Sequence, residues 1–189
     1  MSANPSPLER PMRADARRNR ERILDGARAV FAERGRDAQM DDVARAAGVG
    51  VGTVYRHFPD KEALMAELIR RKFVLFAERA RAALEREGEP FDVFAELLRE
   101  HLELTARDAA SQYALMEAPD RAWEQSVRER EELNVLAGEL IARAQRAGTM
   151  REDFGVEDIP MLMCGISASM SCGLDWRRHF ELMLSALRA

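Results

Sequence analysis

The sequence has little of what marks an enzyme or a metalloprotein. Aromatic residues make up 6% of its 189 residues, with two cysteines and three histidines. These cysteines and histidines are not grouped at metal-ligand spacing, no glycine-rich phosphate loop follows a strand pattern, and no nucleophile elbow is present. We therefore expect no enzymatic activity, no metal site and no cofactor.

Long apolar runs are also missing. The longest covers residues 161–174, 14 residues rich in Ser and Gly, whereas a membrane-spanning helix needs about 20 apolar residues. The polar, Arg-rich first 22 residues have no apolar centre, so no signal peptide is evident. We expect a cytoplasmic protein, with no membrane as partner, in which Cys164 and Cys172 are reduced, ordinary buried thiols.

The composition favours an all-α fold, because Ala, Arg, Glu and Leu are abundant and runs of β-branched residues are absent. The net charge of −4 is unevenly distributed, with +2 on residues 1–65 and −6 on residues 66–189. Five arginines lie within the first 20 residues. This asymmetry allows the N-terminal part to approach a polyanion while the acidic remainder stays away from it.

Apolar periodicity, with Gly and Pro at the breaks, divides the chain into helices. They are predicted at residues 14–34, 40–47, 51–58, 61–87, 91–107, 111–117, 119–147, 156–172 and 175–188. Residues 1–13 contain three prolines and are predicted to be a flexible basic arm. Residues 14–60 are predicted to form a three-helix domain, and residues 61–189 a second helical domain.

The most informative segment is AGVGVGTVYRHFPDKEAL, residues 47–64. It predicts the end of a short helix, a glycine-marked turn, a second short helix and the start of a third helix capped by Asp60. This is the arrangement of a DNA-binding helix-turn-helix. With Val54 and Phe58 turned inward, helical geometry leaves the other side chains of the second helix on an open face. The predicted DNA contacts are Arg17, Arg18, Arg45, Val51, Gly52, Thr53, Tyr55, Arg56, His57 and Lys61.

These residue types suit different parts of a duplex. Thr53 can contact a base edge, and Arg56 can donate to guanine or to phosphate. Lys61 can hold a phosphate together with the free N–H groups of its helix. Two other roles remain open, since Thr53 can instead cap the helix and Tyr55 can pack inside the domain.

The same segment resembles the DNA-binding signature of the TetR family of bacterial transcriptional regulators, over about residues 15–65. The residues that carry the resemblance are Phe31, Gly35, Val43, Ala44, Ala47, Gly48, Val49, Gly52, Thr53, Tyr55, His57, Phe58, Lys61 and Leu64. It implies an N-terminal helix-turn-helix domain, about nine helices, a homodimer and an effector cavity in the C-terminal domain. The chain would then be a repressor that binds a palindromic double-stranded operator and is released by a small apolar or amphipathic effector.

Two positions depart from the family pattern. The family often opens its second helix with a Ser or Thr cap near a basic residue, but here Gln39 precedes Met40, Asp41 and Asp42. An Asp there can accept a hydrogen bond from cytosine or favour the positive end of the helix. Gly50 also replaces the Ser common before the recognition helix, which leaves few donors to base edges.

The second half offers candidates for the two implied sites. The effector-binding candidates combine apolar walls with a few polar groups: Leu98, His101, Leu102, Tyr113, Met116, Trp123 and Cys164. The dimer-interface candidates lie on the last two helices: Ile166, Met170, Leu174, Phe180 and Leu184. The alternative for both sets is that they are ordinary protomer core.

Two other functions share the same N-terminal domain. A DNA-organising protein without a ligand would have a filled C-terminal core. An activator would bind DNA in the same way and raise transcription instead of lowering it.

Overall fold

The computed structural model describes residues 9–108, 110, 113, 114, 117 and 120–189, with only the backbone of residues 9–13, 121 and 122. The predicted all-helical fold is confirmed, and the described residues contain no strand beyond an isolated bridge between Met150 and Arg188. The α-helices are α1 (Glu9–Arg34), α2 (Met40–Ala47), α3 (Val51–His57), α4 (Lys61–Leu84), α5 (Pro90–Arg107), α6 (Asp120–Glu124), α7 (Val127–Arg146), α8 (Ile159–Ser171) and α9 (Trp176–Leu187). Short 3-10 helices occupy Gly35–Asp37 and Val156–Asp158.

Two helices differ most from those predicted. Helix α1 begins at Glu9, inside the stretch expected to be a flexible arm. Pro11 is compatible with this start because the first N–H groups of a helix have no intrahelical partner. The single helix expected over residues 119–147 is divided into α6 and α7. Ser126 takes the N-cap position of α7, and its carbonyl accepts Arg130 N–H at 3.0 Å. The short helix predicted at residues 111–117 lies largely outside the described residues.

The chain divides into two compact units. The first contains the described residues up to Ile69 together with those of Asp108–Glu124, and the second contains Arg70–Arg107 and Gln125–Ala189. The boundaries predicted from the sequence, at residues 13 and 60, stay predictions.

The core of the first unit is built by α1, α2, α3 and the start of α4. Its buried apolar side chains recur at helical spacing along each element: Ile23, Leu24, Ala27, Phe31, Val43, Ala44, Ala47, Val54, Phe58, Leu64 and Leu68. Helices α1 and α2 approach closely at Gly26, where an added Cβ would lie 2.8 Å from the backbone nitrogen of Ala47. Glycine is therefore required at that crossing, and close packing there fixes α2 against α1.

The turn between α2 and α3 depends on Gly48, which has φ +62° and ends α2 in the left-handed conformation. Its N–H donates to the Arg45 carbonyl at 3.2 Å, and Val49 N–H donates to the Ala44 carbonyl at 3.0 Å. These bonds satisfy the last carbonyls of α2. The Gly48 carbonyl in turn accepts a hydrogen bond from the Arg22 guanidinium on α1, at 2.9 Å.

The second unit has a continuous apolar core that α4, α5, α7, α8 and α9 supply. Its most buried members include Phe91, Phe94, Leu98, Leu102, Leu140, Ile141, Ile166, Phe180 and Leu184. Between α7 and α8, the Gln145 side-chain amide donates to the carbonyls of Arg151, Glu152 and Phe154. These hydrogen bonds hold the connection between α7 and α8 in place.

We predict that Gly48→Ala lowers the free energy of unfolding by about 1–2 kcal/mol, because a Cβ disfavours the left-handed conformation. The new Cβ would also lie 2.7 Å from the Arg22 guanidinium nitrogen. Urea unfolding followed by far-UV circular dichroism measures the change.

Gly52→Ala is the matched control, because a Cβ at Gly52 meets no atom within 4 Å. This variant should be as stable as the wild type or more so, since alanine favours helix. Equal losses in the two variants would contradict the role given to the Gly48 backbone.

Candidate nucleic-acid interface

Helix α3 presents one face to solvent because the other is fixed in the core. Val54 and Phe58 are buried, as the sequence predicted. Val51 and Tyr55 are 39% and 48% exposed. The exposed or half-buried residues of this helix are Val51, Gly52, Thr53, Tyr55, Arg56 and His57. The open face thus combines apolar contact groups with hydrogen-bond donors.

Both ends of α3 are set by backbone hydrogen bonds. Gly50 is the N-cap, and its carbonyl accepts Thr53 N–H at 2.8 Å. At the other end, Phe58 N–H donates to the Val54 carbonyl at 2.8 Å. Beyond the helix, the Asp60 carboxylate accepts Ala63 N–H at 2.7 Å and caps α4, as expected. Since α3 has only seven residues, these caps and the two buried side chains determine its orientation.

Two arginines of α1 contact the turn before this helix and the Phe58 ring at its end, a role that was not predicted for them. Arg22 binds the Gly48 carbonyl in the turn. The Arg20 guanidinium lies 4.5 Å from the centroid of the Phe58 ring and 3.2 Å from the Glu67 carboxylate. No local signal separates these arginines from Arg17 and Arg18, which belong to the same basic run and are exposed on α1. Arg18 pairs with Asp15.

Asp42 lies at the centre of an ion-pair cluster at the start of α2. Its carboxylate accepts Gln39 N–H at 3.3 Å and pairs with Arg34 at 2.9 Å and with Arg45 at 3.0 Å. Burial by itself raises the pKa of Asp42, but the hydrogen bond from Gln39 and the charges of Arg34 and Arg45 outweigh it and hold the pKa below its usual range. Of the two roles considered for this carboxylate, the structure shows the helix cap.

Lys61 is half-buried, and its ammonium is turned into the first unit. It donates to the Arg36 carbonyl at 2.9 Å and lies 5.5 Å from the Phe31 ring centroid and 5.6 Å from that of Tyr113. Burial lowers its pKa, although the nearby Asp37 acts in the opposite direction. Its predicted phosphate contact stays a prediction.

The candidate effector residues fall in different parts of the chain. Leu98 and Leu102 are buried on α5. His101, on the same helix, stacks on Phe76 with ring centroids 3.7 Å apart. Burial, together with the positive charges of Lys72 and Arg79, lowers the pKa of His101 to about 3, so the ring is neutral at physiological pH.

The other candidates lie elsewhere. Tyr113 and Trp123 belong to the first unit, Met116 is outside the described residues, and Cys164 is exposed on α8. Three grooves on the second unit, of about 520, 370 and 350 Å³, are lined by none of the effector-binding candidates.

The dimer-interface candidates divide by burial. Ile166, Phe180 and Leu184 belong to the protomer's own core, so their apolar area is already used within the chain. Met170 is half-buried and Leu174 is 62% exposed. Neighbouring apolar side chains that remain outside are Met161 and Leu182. Cys164 and Cys172 are both exposed, so the expectation that they are buried is wrong.

Within the described ranges, two other kinds of site are absent. No group of three His, Cys, Asp or Glu side chains there could hold a metal ion. No described helix combines the length and the apolar character needed to cross a membrane.

Comparisons with known proteins agree with this geometry. Residues 23–68 match the model of bacterial regulatory proteins of the tetR family, and residues 89–189 match that of the C-terminal domain of SbtR-like transcriptional regulators. A TetR transcription regulatory protein from Mycobacterium vanbaalenii is 35% identical over 95% of this chain and 100% of its own, with a TM-score of 0.65. FadR of Thermus thermophilus, a repressor solved with lauroyl-CoA, is 27% identical over 88% of this chain and 91% of its own, with a TM-score of 0.59.

Curated relatives match over a shorter stretch. HTH-type transcriptional regulators of Staphylococcus aureus are 42% identical over 66 residues, which is 34% of this chain and 36% of theirs. The chain thus aligns with about a third of the length of these relatives.

We predict that Asp42→Asn lowers the melting temperature at neutral pH, because the amide keeps the cap but loses the charge that attracts Arg34 and Arg45. A carboxyl whose pKa is lowered by folding stabilises the protein above its unfolded pKa, about 3.9, and this contribution is lost as the pH falls through the folded value. The melting temperatures of wild type and variant should therefore converge on acidification. Asp41→Asn, at the exposed neighbouring position, should have little effect, and a constant difference across pH would contradict the role of the charge.

Proposed function

The chain belongs to the TetR family of bacterial transcriptional regulators, and on this premise we propose that it is a repressor that binds a palindromic operator as a homodimer and is released by a small-molecule effector. It is a DNA-binding regulator and not an enzyme. The observation that carries the proposal is the open face of α3. Because Val54 and Phe58 are buried on the opposite side, this face is turned to solvent, and the helix is capped at both ends. Such a helix fits the major groove.

The contacts within the groove follow from exposure and chemistry. Thr53 and Val51 suit base edges and thymine methyl groups, and Arg56 suits guanine. Tyr55 and His57 at the edge of the same face suit phosphate. Around them, Arg17, Arg18, Arg45 and Lys61 would anchor the sugar–phosphate backbone without selecting sequence.

We propose a homodimer because one helix-turn-helix covers only a short stretch of DNA. A single α3 contacts only a few base pairs, whereas a two-fold dimer doubles the site and spaces its halves about 34–36 Å apart or a multiple of that. The apolar side chains that stay exposed on the last two helices and on the connection between them support an interface there, namely Met161, Leu174 and Leu182. The half-buried Met170 adjoins this surface in sequence.

An amphipathic effector is the proposed signal. The interior side of α5 combines Leu98 and Leu102 with the neutral ring of His101, which provides apolar contact and one hydrogen-bonding group. The likeness to FadR of Thermus thermophilus, solved with lauroyl-CoA, supports an acyl-type ligand. The effector would act by binding more tightly to a conformation of the dimer that fits the operator poorly.

Selection from a randomised duplex pool tests the DNA-binding part. The wild type should select palindromic sites with two half-sites, because a two-fold dimer binds symmetrically. Thr53→Ala should relax the preference at one or two base pairs in each half-site. Thr53→Ser, which keeps the hydroxyl, separates loss of the hydrogen bond from loss of the methyl contact. Sites without symmetry would contradict the homodimer, and unchanged preferences in Thr53→Ala would contradict the base contact.

Titration of lauroyl-CoA into a complex with a selected duplex tests the effector part. The expected result is at least about fivefold weaker DNA binding, the lower end of usual allosteric coupling. Coenzyme A without the acyl chain is the control and should leave DNA affinity unchanged. If lauroyl-CoA raises the melting temperature but leaves DNA affinity unchanged, the coupling is refuted; if it does not bind, the acyl-type assignment is refuted.

A further inference from the structure

A segment remote in sequence contacts the helix-turn-helix unit. Residues of Asp108–Glu124 belong to the first unit although they follow α5. The Tyr113 ring packs against Phe31 with centroids 5.8 Å apart. It also covers Gly35, where an added Cβ would meet the ring at 3.7 Å. The Glu117 carboxylate forms an ion pair with the Arg36 guanidinium, 81 residues away in sequence.

The contacts of this segment converge on two cations at one place. Arg36 lies in the turn before α2, and Lys61 lies in the first turn of α4, directly after α3. The Lys61 ammonium donates to the Arg36 carbonyl and lies beside the Tyr113 ring. In this segment, Glu117 therefore forms an ion pair with Arg36, and the ring of Tyr113 lies beside the Lys61 ammonium.

We propose that Tyr113 and Glu117 compete with DNA phosphate for Lys61 and Arg36, so that this segment acts as an internal brake on DNA binding. The carboxylate of Glu117 takes the place that a phosphate oxygen would occupy on the guanidinium. The proposal rests on the proposed contact between the helix-turn-helix and the sugar–phosphate backbone.

The strength of the contact suits a reversible brake. The Arg36 side chain is 79% exposed in the pair, and ion pairs this exposed are weak. The high charge density of a duplex can displace such a pair, whereas a buried pair would resist exchange. The brake thus lowers DNA affinity modestly without abolishing it.

The connectivity of the segment gives it a regulatory role. Helix α5 ends at Arg107 and α7 begins at Val127, so helices of the second unit continue directly from both ends of the segment. A ligand that shifts these ends would strengthen or release the contacts of Tyr113 and Glu117. The brake is therefore a route by which effector binding changes DNA affinity.

Glu117→Gln in the full-length protein tests the brake without an effector. The probes are a random-sequence 30-base-pair duplex and the region upstream of the gene, each measured across a range of salt concentrations. We expect both affinities to rise about two- to fivefold, as loss of a weak ion pair allows. The slope of log affinity against log salt should steepen by about 0.9, one phosphate contact.

Two controls make the result specific. Glu124→Gln removes the same charge from an exposed position of the same segment and should give a smaller change. In the double variant Glu117→Gln/Arg36→Met the gain should disappear, because the phosphate contact released by Glu117→Gln needs the Arg36 guanidinium. Melting curves establish that each variant is folded.

The outcomes separate this proposal from the proposed function. If Glu117→Gln binds no more tightly than Glu124→Gln, or if its gain persists with Arg36→Met, the brake is refuted while DNA binding stands. If the folded wild type binds neither duplex, the proposed function itself is refuted.

Discussion

The structure of the first unit depends on the burial of Val54 and Phe58 beneath α3. A helix of seven residues is unstable alone, so packing has to hold it. Burying two side chains four residues apart fixes the rotation of the helix about its axis. That rotation decides which residues face solvent, and hence that Val51, Tyr55 and Arg56 are available to a duplex. Replacing either anchor with a polar residue would remove this orientation.

Several charged side chains of the first unit bind partners within the same unit. Asp42 holds Arg34 and Arg45, Arg22 holds the turn, and Arg36 is paired with Glu117. Under the proposed function, a chain with net charge −4 would control its DNA affinity through the availability of a few cations. Because surface pairs are weak and sensitive to salt, this availability can change without unfolding the helices.

The helix-turn-helix could be predicted from the sequence because its determinants are local: the glycine after α2, the Asp60 cap and the spacing of Val54 and Phe58. The resemblance to the TetR family rests on the same local segment, and the family models confirm it. The contacts of Arg22 and Arg36 could not be predicted, since their partners lie 26 and 81 residues away. Apolar periodicity also marks a buried face without saying what buries it, so Ile166 and Phe180 suggested an interface although they lie in the protomer core.

The most direct test of the account is the affinity of the full-length wild type for a duplex from the region upstream of its gene, measured against salt concentration. An exposed α3 flanked by cations that we propose to bind phosphate predicts tight binding, a linear fall of log affinity with log salt, and weaker binding to a scrambled duplex. Folded protein with no salt-dependent affinity for this or any other duplex would contradict it.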